Sequence, residues 1–544
     1  MIKFLFYTSN QINFKAILVA MMSVISGIIA ALMASMINEA VEDIITQKAI
    51  TFLNNLLPYF LIGLLFLFIT RRIALRSGVN LVEQTLESFR NKICNQLRQS
   101  TLQKIESLNQ GEIYTKLSID TKKISSASLA GIRAIQSIVT IILVIIYIYS
   151  FSLLAGICFT GLFALGMLYY QIYYGLLMKT IDEMTQKETQ LFNNFGHVLD
   201  GFKEMKINSA RNEDFFQNYL EPLGDEVKND RILIAQGYVE VNAFCFILLY
   251  YLAIGSTLFM LPLDYSVALR FKIIAMSTFL WEPINLLSGT IPSILLANVS
   301  IKRLNKLERQ LEVSSQLSET VAITTVAQSF QLNTLRLEAI QFDYTDKDIQ
   351  KTFSVGPIDI NIHAGEIIFF VGGNGSGKST VLKLITGLYQ PQSGRFFFND
   401  METDMDRYRH LFSVIFTDCY LFDSLYGINQ VDDQQVIDLL ALMQIDHKVK
   451  WKNRKLIHSE LSTGQKKRLA FVVALLEDKP IYILDEWAAE QDPVFRKKYY
   501  LELLPMLKKR GKTIIATTHD DQYFHVADKV ITMNYGKMGG ISTC

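Results

Sequence analysis

Charged residues are scarce in this 544-residue chain: Asp, Glu, Lys and Arg make up 19%, against roughly 25% in an average soluble domain. The 53 basic and 52 acidic side chains nearly cancel, so no bulk positive charge draws the chain to a nucleic acid. Cysteine is sparse as well. Cys94, Cys158, Cys245, Cys419 and Cys544 stand far apart, with no C-x-x-C pair and no metal-ligand spacing. That excludes a disulfide framework or a zinc module and fits free thiols in a reducing or membrane setting. No small-residue cleavage site follows the first apolar segment, which is expected to stay in a membrane, and no Arg/Ser-rich transit leader is evident. There is no internal repeat.

Apolar residues take the place of the missing charge: 50% of the chain is hydrophobic and the mean hydropathy is +0.23. A chain of this length implies several domains, and the apolarity is concentrated in its first part. Segments at 16–37, 52–70, 129–149, 152–171, 238–260 and 273–297 reach, or nearly reach, the roughly 20 residues that a membrane helix needs. Asn54, Asn55 and Pro58 make the outer end of the second the weakest, and a tight turn near Ser150 makes the third and fourth a hairpin. The loop at 71–126 carries ten Lys/Arg, whereas the short loop at 38–50 has Glu39, Glu42 and Asp43 against Lys48. The positive-inside rule then puts the long loops and both termini in the cytoplasm. These loops read as helical continuations of the spans, with far tips at 111–124 and 195–208. Residues 1–304 are read as an all-α membrane domain with six spans. A polar linker at 305–335 follows.

From residue 336 to 544 short apolar β-like runs (EIIFFV, RFFFN, FSVIF, IYILD, TIIATT) alternate with helical patterns, which predicts an α/β domain with a parallel core and a smaller antiparallel part. Residues 372–379 form a full G-x-x-x-x-G-K-S phosphate loop between an apolar strand and a helix, the context that gives the motif its meaning. Backbone N–H groups of Gly372, Gly373, Asn374, Gly375, Ser376, Gly377, Lys378, Ser379 and Thr380 are expected to cradle the phosphates of ATP, helped by the helix N-terminus. Lys378 reaches the terminal phosphates and Ser379 holds Mg²⁺. The apolar strand at 481–484 ends in Asp485 and Glu486. Asp485 is placed to hold Mg²⁺ directly or through water, and Glu486 to orient or deprotonate the attacking water.

Downstream of the loop, residues 461–465 read LSTGQ, and His519 follows TIIATT. The order of phosphate loop, LS-x-GQ, apolar-DE and late histidine, behind six spans, resembles an ATP-binding cassette (ABC) exporter half-transporter over essentially the whole chain. The resemblance implies that Ser462, Gly464 and Gln465 meet ATP held by a second copy, so that the working unit is a homodimer. It also implies that His519 contacts the γ-phosphate, that Tyr344 stacks on adenine, and that Asp492 is the acid of the loop after the catalytic strand. Two departures stand out. The glutamine usual before an LF pair is replaced by Thr417 and Asp418, either of which is a substitute candidate for the Mg²⁺ contact, and the loop after the catalytic acids reads WAAEQDP. Together with residues 355–380 and 412–422, these features resemble the branch of cyclic peptide and siderophore exporters similar to the pyoverdine, syringomycin and microcin secretion transporters. A bacterial inner membrane follows from the same resemblance.

Glu282 lies inside the sixth apolar segment. An ionisable group at that depth is a candidate cargo contact, with a structural ion pair or wet cavity as the alternative. Tyr169, Tyr170, Tyr173 and Tyr174 read as interfacial anchors. Three functions remain open: export of a peptide-like cargo, flipping of a lipid or lipid-linked glycan, and ATP sensing without transport. Fold does not decide between cargoes, nor does the sequence set the direction of transport.

Overall fold

Long apolar helices build the first part of the chain: α1 (Asn10–Ile45), α2 (Ala49–Gln99), the short α3 (Leu102–Glu106), α4 (Thr121–Phe151), α5 (Leu153–Asp200), α6 (Glu221–Asn242), α7 (Leu249–Met260) and α8 (Val267–Ser315). The computed structural model describes residues 10–45, 49–108, 110–260, 267–315, 332–345, 352–428 and 431–543. It divides into two units, Met1–Gln99 with Leu108–Ser315, and Ser100–Ser107 with Gln316–Cys544.

Among the described residues of the first unit, five helical stretches are long and apolar enough to cross a membrane: Phe14–Val41, Leu57–Gln99, Lys116–Phe151, Leu153–Asp200 and Leu269–Leu311. The expected span at 238–260 runs from α6 through a π-helical turn, Ala243–Leu248, into α7. The hairpin break falls at Ser152, whose extended backbone ends α4 and whose hydroxyl accepts from the Ala155 N–H to start α5. Leu61, Leu64, Leu65, Phe66 and Phe68 of α2 are exposed in this unit, an apolar surface of the kind that lipid covers. Inside the unit, α1 meets α4 at Gly27. A Cβ there would lie 2.9 Å from the Gln136 carbonyl, and Thr140 donates to the Gly27 carbonyl at 3.3 Å, the close approach that small residues permit between membrane helices. Helix α8 continues past residue 304 to Ser315, and residues 316–331 of the expected linker lie outside the described residues.

Helix α3 corrects one expectation. The segment of the first cytoplasmic loop that joins the cassette unit is Ser100–Ser107, ahead of the tip expected at 111–124. Leu102 packs on the apolar cluster of that unit. The Glu106 carboxylate pairs with the Lys383 ammonium at 2.9 Å and accepts from the Tyr389 hydroxyl at 2.6 Å. The second expected tip comprises the end of α5, a break at Gly201 and a short helix, Phe202–Ile207, with Phe202 and Ile207 exposed.

Among its described residues the second unit carries twelve strands, β1 (Thr334–Thr345), β2 (Thr352–His363), β3 (Ile367–Val371), β4 (Ser393–Phe398), β5 (Met401–Thr403), β6 (Phe412–Ile415), β7 (Val449–Lys452), β8 (Lys455–His458), β9 (Ile481–Leu484), β10 (Thr513–Thr517), β11 (Lys529–Asn534) and β12 (Lys537–Thr543). Six form a sheet in the order β12-β11-β3-β10-β9-β6. All of its pairings are parallel except β11 with β12. An antiparallel sheet, β2-β1-β4-β5, stands beside it, and β7 and β8 form a hairpin. Strands β3, β9 and β10 are buried along their whole length, as apolar runs in a parallel sheet covered on both faces must be. The pleat of β3 shows both covers: Ile367, Phe369 and Val371 enter one apolar cluster, Ile368 and Phe370 the other. The chemistry-bearing loops gather at the carboxyl ends of these strands, where open parallel sheets bind ligands.

Candidate nucleotide site and membrane cavity

After β3 the phosphate loop turns into helix α9 (Lys378–Ile385). Gly372 and Gly377 adopt φ of +148° and +99°, and a Cβ on Gly372 would lie 2.2 Å from the Met533 carbonyl, so that turn requires glycine. Gly373, Asn374 and Gly375 are exposed, while Ser376, Lys378 and Thr380 are buried and Ser379 is half-buried. The Lys378 ammonium donates to the Gly372 and Gly373 carbonyls at 2.9 and 3.1 Å. It lies 3.3 Å from His519 Nε2 and 3.8 Å from a Glu486 carboxylate oxygen. Glu486 in turn is 3.4 Å from His519 Nε2. Three residues from three separate sequence positions therefore meet beside the loop.

The acids at the end of β9 differ sharply. Asp485 is 1% exposed. Its Oδ1 accepts from the Thr517 hydroxyl at 2.7 Å, and its Oδ2 has no hydrogen-bond partner among the described residues. A buried carboxylate oxygen left this way is costly unless a ligand completes it, which suits a cation. No group of three or more His, Cys, Asp or Glu placed to hold a metal ion occurs among the described residues, so a cation here would take the rest of its shell from Ser379, water and phosphate. Glu486 has φ of +47°, a left-handed conformation that costs a non-glycine residue about 1–2 kcal/mol. Its N–H donates to Thr517 Oγ1 at 2.7 Å and its carbonyl accepts from the Lys467 ammonium at 2.9 Å. The His519 loop is anchored by Tyr500, whose hydroxyl is 2.5 Å from Thr518 Oγ1 and donates to Asp520 at 2.9 Å.

Tyr344, near the end of β1, is partly exposed; its hydroxyl lies 3.1 Å from Thr380 Oγ1. Its ring meets Tyr389 edge-on at 5.9 Å, and Tyr389 is the residue that Glu106 of α3 holds. Burial, followed by the Glu106 hydrogen bond, pushes the Tyr389 phenol well above its ordinary range. Thr417 and Asp418 are exposed on the turn after β6.

The LSTGQ residues stand at the start of helix α10 (Thr463–Glu477). Ser462 caps it by accepting from the Gln465 N–H, and the Gln465 side chain returns a bond to the Ser462 N–H, a capping box. A Cβ on Gly464 would lie 2.6 Å from the Glu490 carbonyl. Arg468 donates to Gln491 at 2.8 Å and to Asp492 at 2.5 Å, and Gln491 donates to the Gly464 carbonyl at 3.1 Å. The WAAEQDP loop is thereby tied to α10. Asp492 caps helix α11 (Pro493–Lys498); the Phe495 N–H, then Arg468, hold its carboxyl below the usual range. A recess of about 630 Å³ is lined by Ser462, Gly464, Gln465, Arg468, Glu490 and Asp492 among others, and no residue of the phosphate loop takes part.

In the membrane unit, α4, α5, α6, α7 and α8 enclose a cavity of about 770 Å³ whose wall includes Ile138, Phe159, Phe163, Met167, Tyr238 and Leu280. The Tyr238 hydroxyl is buried without a partner among the described residues. Tyr170 contributes to this wall, so at least that tyrosine of the fourth span is more than an interfacial anchor. Glu282 is exposed on α8 and does not line the cavity.

Sequence reasoning missed Lys467, Arg468, Thr517 and Tyr500, and noted Trp487 and Gln491 only as members of the altered WAAEQDP loop. Only position relative to the motifs could have singled out the first two. The remainder carry no pattern of their own.

This architecture defines an ATPase cassette joined to a helical membrane domain, and the comparisons with known proteins agree. The family described as ABC transporter matches residues 355–489. ATP-binding protein SyrD of Pseudomonas syringae pv. syringae is 29% identical over 533 residues, 94% of this chain and 91% of that protein. Energy-coupling factor transporter ATP-binding protein EcfA1 of Mycoplasma genitalium is 32% identical over 218 residues, 37% of this chain and 75% of that protein. A bacterial Atm1-family ABC exporter solved with ATP bound has the same fold, with a TM-score of 0.77, 15% identity, and coverage of 98% of this chain and 96% of that one. The chain belongs to the ABC transporters. Its fold is that of an exporter-type half-transporter, a helical domain with five candidate membrane spans among the described residues followed by an ATP-binding cassette domain.

Proposed function

We propose that two copies of this chain pair in a bacterial inner membrane, termini in the cytoplasm, and export a peptide-like cargo, the siderophore-type cyclic peptides being the leading class. Pairing rests on the signature recess. It holds Ser462, Gly464 and Gln465 but nothing of the phosphate loop, so a second copy has to bring ATP to it, and a twofold pair supplies two equivalent sites. In each site the loop residues 372–380 bind the phosphates, Tyr344 stacks on adenine, Lys378 and His519 contact the γ-phosphate, and Glu486 takes the proton of the attacking water. Ser379 and Asp485, with Asp418 or Thr417 as a further contact, would hold Mg²⁺, which would supply positive charge to offset that of the phosphates. Asp492 keeps the following loop docked on α10.

Mixed pairs test the sharing. With Lys378→Ala on one chain and Gly464→Val on the other, one intact site survives, and turnover should stay near about half of wild type if the two sites work independently. With both changes on one chain and a wild-type partner, no intact site remains and turnover should collapse. Equal activity of the two arrangements would refute a shared site.

The cargo reading rests on the cavity. Its wall is almost wholly apolar, with Tyr238 offering an unused hydroxyl, which suits a bulky apolar molecule bearing few polar groups. The same wall favours, as a second reading, a lipid or lipid-linked glycan. In lipid vesicles, a cyclic peptide panel should stimulate ATP hydrolysis several-fold and accumulate across the bilayer. Stimulation by lipid alone would move the assignment to a flippase. The clustered Lys378, Glu486 and His519 argue against a sensor without turnover. Glu282, exposed at membrane depth, is proposed to meet cargo outside this cavity.

A further inference from the structure

Lys467 is 1% exposed, and a lysine is rarely so buried unless something inside needs its charge or its protons. A methionine would fill the same space without desolvating an ammonium. The only carboxylate paired with Lys467 among the described residues is Glu490, at 3.7 Å and 39% exposed, a loose pair that does not explain the burial. The close contact is a hydrogen bond of 2.9 Å to the backbone carbonyl of Glu486.

Glu486 is the residue with the left-handed backbone, φ +47°. The Thr517 hydroxyl accepts from its N–H on one side, and Lys467 donates to its carbonyl on the other. The clasp is reciprocal: the indole N–H of Trp487, the next residue, donates to the Lys467 carbonyl at 2.9 Å. A residue in a sparsely populated conformation stays there only when its surroundings over-determine it. Here the consequence is where the side chain points, toward Lys378 and His519.

We infer that Lys467 is a positioning residue for ATP hydrolysis: it holds the Glu486 peptide in its left-handed conformation and so aims the carboxylate at the reacting phosphate. It touches no substrate. Its loss should therefore act on turnover and spare nucleotide binding.

The experiment uses the full chain in lipid vesicles. Lys467→Met is compared with wild type for kcat, KM for ATP and binding of a fluorescent ATP analogue, and the same change is made on top of Glu486→Gln. A misplacement of order 1 Å costs about 10²-fold in rate, so kcat should fall about 10- to 100-fold with KM within about threefold. In the Glu486→Gln background the change should produce no further loss, because the carboxylate it aims is already gone. Wild-type kcat in Lys467→Met would overturn the inference. So would a matching loss of ATP affinity, or a loss that multiplies with that of Glu486→Gln, since a merely structural role moves both. If Lys467→Met does not fold, Lys467→Leu, which likewise removes the donor, is held to the same criteria.

Discussion

Glu486→Gln is expected to stop steady-state ATP hydrolysis, lowering kcat by about 10²- to 10⁴-fold, while ATP still binds. The substitution keeps size and hydrogen-bonding capacity and removes only the charge and the ability to accept a proton. The scaffold of the phosphate loop stands without that carboxylate: Lys378 keeps its bonds to the Gly372 and Gly373 carbonyls, and the glycine geometry of the loop is set by the Met533 carbonyl behind it. Phosphate release by the full chain in vesicles, beside titration with a fluorescent ATP analogue, separates the two effects. A variant that hydrolyses at more than about a tenth of the wild-type rate would remove Glu486 from the chemistry, because general-base catalysis is worth more than that. One that no longer binds ATP would show that its charge supports the loop instead.

Trp487→Ala is expected to have the largest effect on stability. The indole is fully buried, stacks on Tyr499 at 4.6 Å and touches Phe471 and Phe495 within the larger apolar cluster of the cassette. Removing such a side chain costs about 3–5 kcal/mol, transfer and cavity together. At about 2–4 °C per kcal/mol for a domain of this size, the cassette transition should move down by on the order of 10 °C. Calorimetry of the full chain in detergent, with nucleotide absent, reads this directly. A shift below about 3 °C would mean that the cluster closes over the gap, the way some cores limit the cost of a cavity. Trp487→Phe keeps most of the packing and loses the bond to Lys467, so it should lie between.

Much of the nucleotide site was legible because its chemistry is written in short contiguous motifs. The phosphate loop, Asp485 with Glu486, and His519 each follow an apolar strand, and the parallel sheet places all three at one edge. Lys467 was not legible for the opposite reason. In a row of Lys466, Lys467 and Arg468 every member reads as a solvated charge, and only the helix of α10, turned with one face to the core, puts the middle one inside. Trp487 looked like a departure from a familiar loop; its place in an aromatic stack depends on Tyr499 and Phe471, which no local pattern links to it. In the membrane half, apolar length marks spans but not surfaces: the cavity takes residues from five helices, and its wall could not be told from lipid-facing positions by composition. The far tip of the first loop was expected too late in the chain because α3 is short and has no distinctive period. What identifies it is a partnership between Glu106 and two residues far along the chain, Lys383 and Tyr389.

That partnership bears on how this protein can be cut. A fragment beginning after residue 331 contains every nucleotide motif, yet it lacks a segment that packs on its surface. Without α3 the Leu102 side chain no longer caps the smaller apolar cluster, and Lys383 and Tyr389 are left to each other at 3.2 Å. Tyr389 stacks on Phe342 and meets the Tyr344 ring edge-on, so what is uncovered is the neighbour of the ring proposed to read adenine. Nucleotide affinities measured on such a fragment describe a cassette without its α3 contact, and the eight residues Ser100–Ser107 supplied as a free peptide are the natural complement to restore it.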